Sequence, residues 1–136
     1  MASRYGFSVD GPLPVEEAEA RVRELLKNEG FGILTEIDVR STLRDKLGVD
    51  FRPYKILGAC NPPLAHRALE AEPGIGLLLP CNVVVEARPA GGSRVSFLDP
   101  GTALGLVGNA ELEPIAADAA QRLRRVADRL SAEVAR

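Results

Sequence analysis

The chain has 136 residues, 46% of them hydrophobic and 26% charged, with a formal net charge of −2. That length fits a single domain spanning 1–136, and that balance fits a globular fold with a real core. The slight acidity speaks against a nucleic-acid partner, which asks for a basic face. No uncharged apolar run reaches the roughly 18 residues of a membrane span.

Met1 to Asp10 has neither an apolar h-region nor a cleavage site, so the cytosol is the expected compartment. Two cysteines there are expected as free thiols and not as a disulfide.

Residues 4–9 alternate and predict a first strand. Pro14 suits a first helical position, and Val15, Ala18, Val22, Leu25 and Leu26 recur at helical spacing up to about Asn28. Gly30 stands where a helix-ending glycine belongs. Residues 31–39 predict a second strand, with Phe31, Ile33, Ile37 and Val39 on its core face. Ser41 is placed to cap a short helix ending at Gly48. A third strand is expected over about 53–60, and Asn61 with Pro62 opens a second main helix to about Ala71.

Ile75 to Ala87 is long and apolar enough for a fourth strand. Pro89 to Ser93 makes a hairpin loop, and Arg94 to Leu98 returns as a fifth strand. Residues 99–111 read as loop. The last helix spans about Pro114 to Val134, with Ile115, Ala119, Leu123, Val126, Leu130 and Val134 as its stripe. Acidic residues at its start and arginines later complement the helix dipole.

The order β-α-β-(α)-β-α-β-β-α predicts an α+β two-layer sandwich. One mixed or mostly antiparallel sheet of about five strands would carry three main helices on one side.

Three clusters hold candidate chemistry. Cys60 and Asn61 fall at a strand end before a helix. There the positive end of the dipole favours a thiolate or an anionic ligand. Helix capping and a packed thiol account for the same residues without any function.

Pro80, Cys81 and Asn82 interrupt an otherwise apolar strand pattern. Proline mid-strand implies an edge or a bulge, and bulges gather at active sites. Local rules most often break where function demands it.

Glu36 and Asp38 are two apart, so both project from one strand face. They read as a solvated face or as a carboxylate pair lining a pocket, with Lys55 from the third strand neutralising one of them. His66 with both cysteines could supply soft ligands, but the spacing matches no zinc signature, so no metal and no cofactor are expected. No Walker loop, no dinucleotide-binding glycine fingerprint and no nucleophile-elbow motif occurs.

Tyr5-Gly-Phe-Ser-Val, Gly30 to Val39, Tyr54 to Pro62, Leu79 to Val85 and Phe97-Leu-Asp-Pro together resemble domain-of-unknown-function family 302. The resemblance runs over about residues 4–130, with the two Cys-Asn elements in the same order. It implies a compact α+β fold and assigns no catalytic residue.

Three functions follow as expectations. The first is a small-ligand binding or sensing domain, with a polar pocket near the two Cys-Asn elements. The second is a thiol-dependent enzyme or redox protein using Cys60 or Cys81. The third is a structural module, most simply a homodimer.

Overall fold

A computed structural model describes residues 3–134; Met1, Ala2 and the last two residues of the expected domain lie outside the described residues. Its strands are β1 (Gly6–Gly11), β2 (Gly32–Asp38), β3 (Tyr54–Cys60), β4 (Cys81–Ala87) and β5 (Ser93–Leu98). They form one sheet in the order β1-β5-β4-β3-β2, and every pairing is antiparallel. The helices are α1 (Val15–Asn28), α2 (Val39–Leu47), α3 (Pro62–Ala71), α4 (Pro100–Gly105) and α5 (Glu113–Val134). The α+β class and the five-stranded sheet expected from the sequence are both present.

One sheet face is covered by α1 and α5. Phe7, Leu57, Val83, Val85, Val95 and Phe97 from the strands meet Val22, Leu25, Leu26, Leu123, Val126 and Leu130 from the two helices. A second apolar cluster joins Leu64 and Ala68 of α3 to Ile75, Leu104 and Leu112. Ile115, Ala116 and Ala119, in the first turns of α5, complete it. The single stripe expected on the last helix therefore serves both clusters, the first half against α3 and the second against the sheet. At about 25 cal/mol per Å² of apolar area, such joint burial is what fixes the helices to the sheet.

Several expected boundaries move. Ile75 to Leu79 is not strand: Pro73–Leu78 forms a 3-10 turn, and β4 begins at Cys81. Pro80 thus precedes the strand, where a missing N–H costs no ladder hydrogen bond. Residues 99–111 are not loop throughout, because Asp99 caps α4 through Gly101 N–H and Ala110–Leu112 adds a 3-10 turn. Pro100 suits the first turn of that helix. The short helix is capped by Asp38 and not by Ser41, whose N–H donates to Asp38 Oδ1 at 3.0 Å.

Strand β2 holds a register shift between Ile33 and Thr35. One extra residue inverts the alternation beyond it, since strand side chains have a period of two. Ile33 pairs with Ala59 and packs against the core, whereas Ile37 pairs with Ile56 and lies exposed. Ile37 therefore leaves the core face on which the pattern of residues 31–39 places it. Val39 leaves it too, because it opens α2.

Candidate functional site

The two cysteines come together. Ala59 is the direct partner of Cys81 across β3 and β4, so Cys60 sits one residue from that pair. Both cysteines line a cavity of about 330 Å³ between the end of the sheet and the second apolar cluster. Neither cysteine is in a disulfide. The cavity wall continues through Phe31, Leu64, Ala68, Leu104 and Ala119, and among the described residues no charged side chain lines it. Volume and wall fit a small-molecule pocket, which typically runs from roughly 300 to 1,000 Å³ and is mostly apolar.

The bulge of β2 contributes to this cavity. Leu34 is the residue passed over in the pairing with β3; it is 66% exposed and forms part of the cavity wall. Leu69 of α3 also lines the cavity and is 42% exposed. Their partial exposure puts hydrocarbon at the rim as well as inside. Pro80 marks neither the edge nor the bulge expected of a mid-strand proline, because it precedes β4, an inner strand; the bulge lies on β2, which flanks β3 on its other side.

Pro80 has its own structural account. It follows a cis Leu79–Pro80 peptide bond and lies against β3. A Cβ added at Gly58 would stand 2.7 Å from Pro80 Cγ. Glycine at 58 is what lets the ring seat there, since ordinary carbon contacts are about 3.5–4.0 Å.

Asn61 is spent on architecture. Its Oδ1 accepts from Leu64 N–H at 3.3 Å, and its Nδ2 donates to the Glu29 carbonyl at 3.3 Å. Arg122 donates to the same carbonyl at 3.1 Å. The amide thus fastens the start of α3 to the end of α1, where Gly30 takes a positive φ of 86°.

The start of α3 also lacks the donors that a dipole argument assumes. Pro62 and Pro63 have no N–H, Leu64 N–H goes to Asn61 Oδ1, and Ala65 N–H goes to the Asn61 carbonyl at 2.9 Å. No free amide of that first turn is left for an anion or for a Cys60 thiolate.

Burial pushes the Cys60 thiol above its ordinary range. Burial pushes Cys81 further, to about 11, and the neighbouring Cys60 charge adds to the rise. Removal of water disfavours the charged form, so both groups are protonated at neutral pH. An activated nucleophile needs the opposite.

The remaining candidates lie elsewhere. Asn82 pairs with Gly58 and is exposed on the outer sheet face, in a groove with Ser8 and Ser96. Strand alternation therefore sends Cys81 and Asn82 to opposite sides. Glu36 and Asp38 share a face, as expected, but they line no pocket with the cysteines. Glu36 pairs with Lys55 at 2.7 Å and with Arg23 at 2.7 Å, while Lys55 also reaches Glu19 at 3.1 Å. The Lys55 ammonium beside Glu36 holds that carboxyl below the usual carboxylate range. Asp38 is lowered chiefly by its hydrogen bond from the Ser41 backbone.

His66 has a side chain 76% exposed, 3.1 Å from Glu70 one turn on. Among the described residues, no group of three or more His, Cys, Asp or Glu gathers as a metal set, and no helix is long and apolar enough to cross a membrane. Four wall residues went unpredicted as site residues: Phe31 and Ala119, which the pattern assigns to the core, and Leu34 and Leu104. They are ordinary apolar residues whose convergence depends on the bulge and on the packing of α3 against α5.

A family model described as "Domain of unknown function DUF302" matches residues 7–130. A crystal structure of an uncharacterized conserved DUF302 protein from Bacillus stearothermophilus superposes with a TM-score of 0.86. The two are 35% identical, over 94% of this chain and 99% of that one. No curated protein matches the chain. With the family model spanning nearly the whole fold, and a solved relative agreeing over the same length, the chain belongs to the DUF302 family.

Proposed function

We propose that this chain is a binding or sensing domain for a small molecule held in the cavity between the sheet end, α3 and α5. One observation carries the reading: Cys60 and Cys81, 21 positions apart in sequence, converge in the wall of one concave apolar site, from which Asn82 is turned away. Exposed leucines at the rim support it, because they leave an apolar path to the interior. The thiol-dependent alternative is disfavoured by the raised thiols and by the absence of free amides at the start of α3.

Native mass spectrometry of freshly purified protein tests the reading. A retained small molecule in the wild type is expected, and its loss on Ala65→Phe, which narrows the cavity from a half-buried position in the wall. Ala65→Leu serves as a milder version. Retention of the same molecule by both folded variants refutes the site.

A further inference from the structure

We infer that the molecule this cavity takes is uncharged, an apolar ring or short chain with no ionised group. The inference rests on the binding reading above and names the ligand class for that same site. Its basis is the charge-bearing side chains and the first turn of α3. Among the described residues, no Lys, Arg, His, Asp or Glu side chain lines the cavity. The one lining amide, Asn61, has its oxygen on Leu64 N–H and its nitrogen on the Glu29 carbonyl. The first turn of α3, the place where a helix dipole would ordinarily receive an anion, is closed by two prolines and two internal hydrogen bonds.

Among the other side chains of the wall, the polar atoms are sulfur. Cys60 and Cys81 are protonated thiols at neutral pH, weak donors and weak acceptors. They suit contact with a polarisable apolar surface such as an aromatic ring. An ion brought into this wall would lose its hydration with no partner to replace it, and that loss exceeds anything apolar contact returns. A neutral molecule of the same shape loses only its unfavourable apolar hydration. The rim repeats the pattern, with Leu34 and Leu69 as its partly exposed members.

A matched pair of probes tests the inference by isothermal titration calorimetry at pH 7.5: 2-(hydroxymethyl)naphthalene, which is neutral, and 2-naphthoate, which has the same ring and a carboxylate. The neutral probe is expected to bind at least about tenfold more tightly, the equivalent of about 1.4 kcal/mol. Binding of it should weaken by at least a similar factor in Ala65→Phe, or in Ala65→Leu should the larger variant fold poorly. Equal or tighter binding of naphthoate, weakened by the same variants, overturns the neutral-ligand inference and leaves the binding site standing. No binding of either probe, or binding that both folded variants leave intact, overturns the site and the inference together.

Discussion

Gly58 and Pro80 are packed so closely that a Cβ at 58 would come within 2.7 Å of Pro80 Cγ, with the Thr35 hydroxyl crowding it from the other side. Three strands' worth of geometry meet at that point: Gly58 on β3, Thr35 beyond the bulge of β2, and Pro80 at the entrance to β4. Gly58→Ala is therefore expected to destabilise the fold by about 1–3 kcal/mol, the usual cost of overpacking a close-packed site. Urea denaturation monitored by circular dichroism measures it. A variant as stable as the wild type would show that Pro80 and Thr35 can withdraw freely.

Asn61 closes the start of α3 and ties it to the Glu29 carbonyl, and it is only 8% exposed. Asn61→Ala removes the cap and should cost about 1–2 kcal/mol. Asn61→Asp keeps the cap acceptor but turns a carboxylate toward the Glu29 carbonyl oxygen, where a donor stood. Burial of that charge, with only the Leu64 N–H as donor and its second oxygen facing a carbonyl, should make Asp no better than Ala, although Asp is ordinarily an excellent cap. Thermal denaturation of both variants at pH 7 decides; an Asp variant matching the wild type would show that Asn61 acts as a cap alone.

Much of the fold was legible because it depends on near neighbours. The stripe from Ile115 to Leu130 recurs every three or four residues, and all of its members as far as Leu130 are buried. Asn61 before Pro62 announced a helix start, and one is there. The reversal of β2 was not legible, because the bulge at Leu34 is a relation between two strands and leaves no mark in residues 32–38 alone. The same holds for the cavity, whose wall comes from β2, β3, β4 and three helices. The donor-free start of α3 is a different case. Pro62 and Pro63 stand in the sequence, and a dipole argument that counted N–H groups would have ruled out an anion there. Pro80 misled in the opposite direction: it suggested a broken strand, whereas it precedes an unbroken one.

Glu36 of β2, Lys55 of β3 and Arg23 and Glu19 of α1 form an ion-pair network outside the cavity wall. Exposed pairs contribute about 0–1 kcal/mol, so Glu36→Gln should shift stability by no more than that at pH 7. The Glu36 carboxyl is lowered in the fold by Lys55, so its contribution exists above the unfolded pKa and is lost as pH falls through the folded one. The difference between wild type and variant should therefore vanish in acid. Naphthalene-probe binding should be unchanged in Glu36→Gln, measured by the same calorimetry; a weakened probe would place this network within the binding site.

Cys81 gives the opposite limb. Its folded pKa is raised from 9.0 to about 11 by burial, so the folded state holds the proton more tightly than the unfolded chain. The stability this represents is fully present below pH 9 and is lost as pH rises toward 11. Its size is on the order of 3 kcal/mol, from about 1.4 kcal/mol per pKa unit. Urea unfolding of wild type and Cys81→Ala across that range should show the two curves converging at high pH, because only the wild type has this proton to lose. Alkylation by iodoacetamide gives a second measure: the Cys81 rate should still be climbing above pH 10, well past the plateau of a free thiol. A Cys81 that reacts fully by pH 8 would mean that water reaches the thiol freely, and the cavity would then be too wet to select against charge.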